Sequence, residues 1–122
     1  MKHFLQITFI FCILFTACSP INFNGNIIST EDNFQMDYAV FNQSQSSSLT
    51  LSEGDSLSVL ISHAKGSVDV KIYLPGKEPI YEGKNLTNMN CTLNIHESGT
   101  YQIDVTGHNA SGTVQFTRKS KS

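Results

Sequence analysis

Residues 67–74, Ser-Val-Asp-Val-Lys-Ile-Tyr-Leu, decide the fold. Val68, Val70, Ile72 and Leu74 alternate with Asp69, Lys71 and Tyr73. Successive side chains of a strand point to opposite faces, so this stretch has one apolar face and one wet face. The same period of two recurs on both sides of it. Phe34, Met36, Tyr38 and Val40 alternate, then Leu49 and Leu51, then Leu57, Val59 and Ile61. Downstream come Met89, Cys91, Leu93 and Ile95, then Tyr101, Ile103 and Val105, then Val114 and Phe116. Turn-forming residues separate the runs: Glu53-Gly54-Asp55, Lys65-Gly66, Pro75-Gly76, Glu82-Gly83, Ser98-Gly99 and the stretch Gly107 to Gly112. No window of ten residues carries helical spacing. The pattern predicts an all-β domain over 34–118 with about seven or eight short strands. A sheet with one apolar face must bury it, and no helix is available to cover it. Two packed antiparallel sheets, a β-sandwich, are the economical expectation.

Composition limits what such a domain can do. Residues 1–17 hold 12 of the chain's 48 hydrophobic residues, and the other 105 hold 36. Those 105 residues also carry 33 Ser, Thr or Asn, which suit the wet faces of strands and the turns between them. The length allows one small domain and excludes a multidomain enzyme. Residues 18–122 carry seven Lys or Arg against ten Asp or Glu, a net charge of −3. Lys65, Lys71, Lys77 and Lys84 are scattered, and the cluster Arg118-Lys119-Ser120-Lys121 reads as a solvated tail over 119–122. No basic stripe exists to neutralise phosphates, so nucleic acid is not an expected partner.

The first residues carry an address. Met1-Lys2-His3 is a positive start, and Phe4 to Phe15 is apolar except at Gln6 and Thr8. About 12 apolar residues are too few to cross a hydrocarbon core of roughly 30 Å, but they suit the core of a secretory signal peptide. The segment ends in Leu14-Phe15-Thr16-Ala17-Cys18-Ser19, which resembles the lipobox of bacterial lipoproteins. That resemblance implies cleavage after Ala17 and a diacylated Cys18 as the mature N-terminus. Phe15 departs from the family, which most often has Leu three positions before the Cys. A thiol is the most nucleophilic side chain available for taking up an acyl-glycerol group. Two or more acyl chains, at about 0.8 kcal/mol per buried methylene, hold a small domain stably on a bilayer. The resemblance therefore implies 1–17 as signal peptide, the lipid bilayer as a partner through Cys18, and an extracytoplasmic place on the cell membrane or envelope.

Residues 18–33 have no sustained period and are rich in Asn and Ser, so they read as a flexible linker between lipid and domain. Asn42 to Ser48 reads in the same way as a polar connector. With Cys12 removed and Cys18 capped by lipid, Cys91 stands alone and no disulfide framework is expected. Its place in the Met89–Ile95 alternation makes it a core thiol. Four Asn-x-Ser/Thr sequons, at Asn42, Asn85, Asn90 and Asn109, are close to the number that chance gives in so Asn- and Ser-rich a chain.

Glu97-Ser98-Gly99-Thr100-Tyr101 resembles the tyrosine corner of Greek-key sandwiches. In that motif Gly99 allows the bend, and the Tyr101 hydroxyl bonds back to upstream main chain. Immunoglobulin domains have a Cys two residues after this Tyr, where this chain has Ile103. With "LSEGDSLSV", "GSVDVKIY" and "ESGTYQIDVTGHNASGTVQF", the wider pattern looks like small jelly-roll modules of exported bacterial proteins. The pre-peptidase C-terminal-like and GOLD-like modules are the nearest in shape. This resemblance implies a non-catalytic binding or accessory module.

The residues supply little chemistry of their own. His63, His96 and His108 have no short ligand spacing between them, and no Ser sits in a Gly-x-Ser-x-Gly turn. No catalytic residue, metal ligand or cofactor is expected. The alternative is a small exported metal-binding protein or enzyme that uses these histidines with Glu97 or Asp104. One binding surface is suggested: if Leu74 faces Ile80 across the turn, Tyr73 faces Tyr81 on the wet side, where a tyrosine pair can stack a sugar or a partner's side chain. The expected partner is an envelope protein or a glycan.

Overall fold

Period-two alternation becomes seven strands in the computed structural model, which describes residues 21–121. They are β1 (Phe23–Ser29), β2 (Asn33–Phe41), β3 (Ser44–Leu51), β4 (Ser56–Tyr73), β5 (Tyr81–Leu86), β6 (Asn88–Asn94) and β7 (Gly99–Lys119). The apolar leader, the cleavage position and Cys18 lie outside the described residues. Among the described residues no helix is long and apolar enough to cross a membrane.

All seven strands belong to one antiparallel sheet that does not close. Three turn signals prove not to be turns, the first being Glu82-Gly83, which lies inside β5. Lys65-Gly66 lies inside β4 and Gly107 to Gly112 lies inside β7, so each of these strands runs through a stretch that the sequence pattern splits in two. The β4–β7 pairing slips twice there, between His63 and Lys65 and between Lys65 and Ser67. Extra residues of this kind bend a strand and sharpen its twist. They also correct the parity. Leu57, Val59 and Ile61 are odd-numbered, whereas Val68, Val70 and Ile72 are even-numbered, and all six are buried in one core. In an unbroken strand the two sets would face opposite ways.

Each half of the long strands has its own neighbours. The first half of β4 lies between β6 and the second half of β7, which in turn pairs with β2, and β2 with β1. The second half of β4 lies between β5 and the first half of β7, which pairs with β3. Because β4 and β7 double back, Ser56 and Tyr73 lie at one end of the molecule and the bulges at the other. Residues from both halves share one core: Phe34, Leu57 and Phe116 of the first and Ile72, Tyr101 and Ile103 of the second are almost wholly buried in a single cluster. Each large side chain contributes about 1.5–3 kcal/mol by leaving water.

Two stretches expected to be irregular are strands. Residues 23–29 of the expected linker form β1, which pairs with β2 from Phe23↔Phe41 to Ser29↔Phe34. Main-chain hydrogen bonds hold this edge strand while most of its side chains stay exposed, so it needs no apolar alternation. Gly25 marks the register slip, where a β-carbon would meet the Asp37 carbonyl oxygen. The polar connector is likewise largely β3, in continuous register with β7 from Ser44↔Thr106 to Leu51↔Gly99. Its wet face is a hydroxyl ladder, with Ser44 beside Thr106 at 3.0 Å, Ser46 donating to Asp104 at 2.7 Å and Thr50 beside Thr100 at 3.1 Å. Cross-strand polar pairs of this sort support a sheet without an apolar outer face.

Candidate functional site

The connections at the strand-terminal end are tied together through Asp55. This carboxylate is 4% exposed and accepts from the Ser52 amide at 2.9 Å and from Arg118 Nε at 2.9 Å. Arg118 Nη1 donates in turn to Asp32 at 2.8 Å. The Asp55 carbonyl accepts from the Ile95 amide, the Gly54 amide donates to the Ile95 carbonyl, and the Glu53 amide donates to Ser98 Oγ. The Arg118 hydrogen bond is the main cause that holds the Asp55 carboxyl below its ordinary range, with the Ser52 amide second. The β3–β4 and β6–β7 connections are thus fixed against each other and against the last residues of β7.

Beside this frame lies a groove of about 630 Å³, between the β4–β5 turn and the end of β6. Its floor is Leu74, Ile80, Leu93 and Tyr101, and its rim carries Lys77, Glu78, His96 and Glu97. Tyr101 is buried, and its hydroxyl donates to the Glu97 carbonyl at 2.6 Å, the backward bond that a tyrosine corner implies. Burial first, and the Glu97 charge second, raise the Tyr101 hydroxyl above its usual pKa and keep it neutral. Gly99 leaves the space that Leu74 fills, since a β-carbon there would stand 2.6 Å from Leu74 Cδ2. Lys77 pairs with Glu97 across the rim, but both side chains are about half exposed, so water screens the pair. The groove offers an apolar seat with charges of both signs at its edge.

The suggested tyrosine pair is not formed. Tyr81 stands opposite Ile72, and the Ile80 amide donates to the Ile72 carbonyl, one residue out of the register that would place Tyr81 opposite Tyr73. A one-residue slip sends the two side chains to opposite faces. Tyr81 packs against the core and donates to Met89 Sδ at 3.0 Å. Tyr73 stays on the other face, with Lys71 Nζ 5.0 Å from its ring centroid. Cys91, opposite Val59 on β6, is half-buried against the core, and burial raises its thiol pKa.

The histidines are dispersed. His96 is on the groove rim, and His108 bonds Asp69 at 2.9 Å. His63 sits half-buried at the β4 bulge, where its ring stacks on Tyr38 at 5.6 Å. Its Nδ1–H donates to the Thr87 carbonyl at 3.2 Å, which leaves Nε2 to accept from the Tyr38 hydroxyl at 2.6 Å. Burial lowers the His63 pKa, while burial and the Asp37 charge raise that of Tyr38, so both are neutral near pH 7. Among the described residues no three His, Cys, Asp or Glu side chains converge as a metal site would require. Neither the Asp55–Arg118 frame, 63 residues apart in sequence, nor the Tyr38–His63 pair, 25 apart, has a local signal in the sequence.

Compared with known proteins, the chain matches no family model and shows no significant similarity to any curated protein.

Proposed function

We propose that the chain is a cell-envelope lipoprotein, held on the extracytoplasmic face of a membrane by acylated Cys18, whose domain is a non-catalytic module that binds an envelope protein. The lipobox residues Leu14 to Cys18 support the anchor. The doubling back of β4 and β7 over a shared core supports reading the folded-over sheet as a two-layer jelly-roll sandwich of the exported-module kind.

One observation carries the binding role: the Leu74–Ile80–Leu93–Tyr101 groove, with Ile80 still 41% exposed at its floor. A large apolar side chain left in water beside a concave surface marks a place where a partner removes it from solvent. The chemistry favours a protein over a glycan. Sugars stack on open aromatic faces, and here the Tyr101 ring is buried while Tyr73 and Tyr81 lie on opposite faces. An apolar side chain flanked by charges of either sign fits the floor and rim better.

The test compares full-length chain with an Ile80→Asp variant, each crosslinked in intact membranes and recovered after solubilisation. A crosslinked protein partner present with wild type and lost with the variant, at unchanged melting temperature, supports the reading. The same products from both, or a glycan array signal in place of a protein partner, contradicts it. A Cys18→Ala chain should accumulate as uncleaved precursor; normal processing to a membrane-bound product would remove the anchor from the account.

A further inference from the structure

The carboxylates are segregated. Glu31, Asp32, Glu53, Asp55, Glu78 and Glu97, six of the chain's ten, lie in the connections at the end that holds the groove. The opposite, bulged end is built from residues 21–22, 42–43, 63–67, 84–88 and 107–112, which include Lys65, Lys84, His63 and His108 but no Asp or Glu. Hydrogen bonds join these segments into one surface. The Asn109 amide donates to Asn42 Oδ1, the Gly107 amide to the Gln43 carbonyl, and His63 reaches Thr87. Asp69, two residues beyond this end on β4, is bonded to His108 and to the Asn85 amide, each at 2.9 Å, and feels the Lys84 charge without pairing with it. Lys65 and Lys84 are exposed, and neither pairs with a carboxylate among the described residues.

The chain arrives at this same end. The Asn42 amide donates to the Asn22 carbonyl at 2.7 Å, which places the start of β1 beside the end of β2. Only three residue steps separate Ile21 from Cys18, a reach of at most about 11 Å. The expected linker is therefore too short to act as a stalk, because β1 begins at Phe23, five residues after Cys18. Ile21, 70% exposed, leads directly toward the anchor.

On the lipoprotein reading above, we infer that the bulged end of the domain seats on an anionic lipid surface, with Lys65 and Lys84 against headgroup phosphates and the groove turned away from the membrane. A tether of about 11 Å keeps both lysines near the surface, within range of a screening length of about 8 Å at physiological salt. Lysine suits this task as a compact, strongly hydrated point charge that needs no fixed geometry.

Amine-reactive footprinting of the full lipidated chain tests this. The chain is reconstituted in vesicles of phosphatidylglycerol and phosphatidylcholine, in phosphatidylcholine alone, and in uncharged detergent. Lys65 and Lys84 should react about fivefold more slowly in the anionic vesicles than in detergent, while Lys77 and Lys121 react alike in all three. Equal rates for Lys65 and Lys84 in anionic vesicles and detergent overturn the seating, as does slowing at Lys77 in their place. Equal slowing in both kinds of vesicle overturns the lysine–headgroup contact. The same digest weighs the Cys18 peptide: a lipidated peptide with unchanged lysines sinks this inference alone, and an unmodified Cys18 sinks the lipoprotein reading with it.

Discussion

The two ends of the molecule finish the same strands in opposite ways. At the bulged end, β4 and β7 turn a corner without leaving the sheet, so main chain packs on main chain. The contacts there include main-chain hydrogen bonds and close backbone approaches, such as Gly66 against the Asn109 carbonyl, beside the Tyr38–His63 and His108–Asp69 pairs. At the groove end the strands stop, and side chains tie the connections: Asp55 with Arg118, and Tyr101 with the Glu97 carbonyl. A backbone corner tolerates little change, whereas connections held from beneath can vary their outward residues. That contrast explains why the concave surface lies where the strands end.

The sharpest way to break the contrast is a pair of glycine substitutions. Gly66 has φ +66° and Gly76 has φ +83°, so both positions penalise a side chain. Only at Gly66 would a β-carbon also collide with backbone, 2.3 Å from the Asn109 oxygen, while nothing lies within 4 Å at Gly76. Gly66→Ala should cost about 3 kcal/mol or more and Gly76→Ala about 1 kcal/mol, read as midpoint shifts in urea denaturation. Equal losses would refute the claim that the corner is the more constrained end.

Tyr101→Phe is smaller in effect than Gly66→Ala. It removes one hydroxyl and leaves the Glu97 carbonyl without that donor, so stability should fall by about 1–2 kcal/mol at an unchanged denaturant slope. No change would mean that the corner bond does not brace the groove.

Acid should loosen the ends in sequence. His63 has a folded pKa below its unfolded value of about 6.5, so its contribution is complete above that value and fades as pH falls through it. Asp55 also has a lowered folded pKa, but its contribution persists until pH falls below the ordinary aspartate value of about 4. Thermal melts across pH should therefore decline first below about 6.5, and His63→Gln should remove that first decline while leaving the one near pH 4. A single decline near pH 4 in both proteins would show that the bulged end does not sense protonation of His63. The smallest effect belongs to Lys77→Ala, expected within about 0.5 kcal/mol because its partner Glu97 is exposed on the rim.

The strands with an apolar inner face were legible because burial writes itself into the sequence every second residue, as in 67–74. β1 and the start of β3 were not. They sit at sheet edges, held by main-chain bonds and hydroxyl pairs that Asn, Ser and Thr satisfy, and those residues equally suit loops. The two corners were misread for a related reason. Lys65-Gly66 and Gly107 to Gly112 have turn composition because a bulge needs the same backbone freedom as a turn; only the change from odd-numbered Ile61 to even-numbered Val68 hints that the strand continues. The tyrosine pair failed on a register slip of one residue, which the seven-residue connection from Leu74 to Ile80 does not specify. At the groove, the Tyr101 corner could be read from a local motif, but the floor unites residues from the β4–β5 connection, β6 and β7 that only the folded topology brings together.

The measurement that bears most directly on the account is the height of each end above the bilayer. A fluorophore on Ala64→Cys or on Gly76→Cys of the lipidated chain, with acceptor dye in the lipid headgroups, reports both by energy transfer. β2 spans the molecule in nine residues, so the account predicts the label at position 76 to stand roughly 30 Å farther from the lipid than the label at position 64. Equal heights, the reverse order, or no transfer from either position would contradict it.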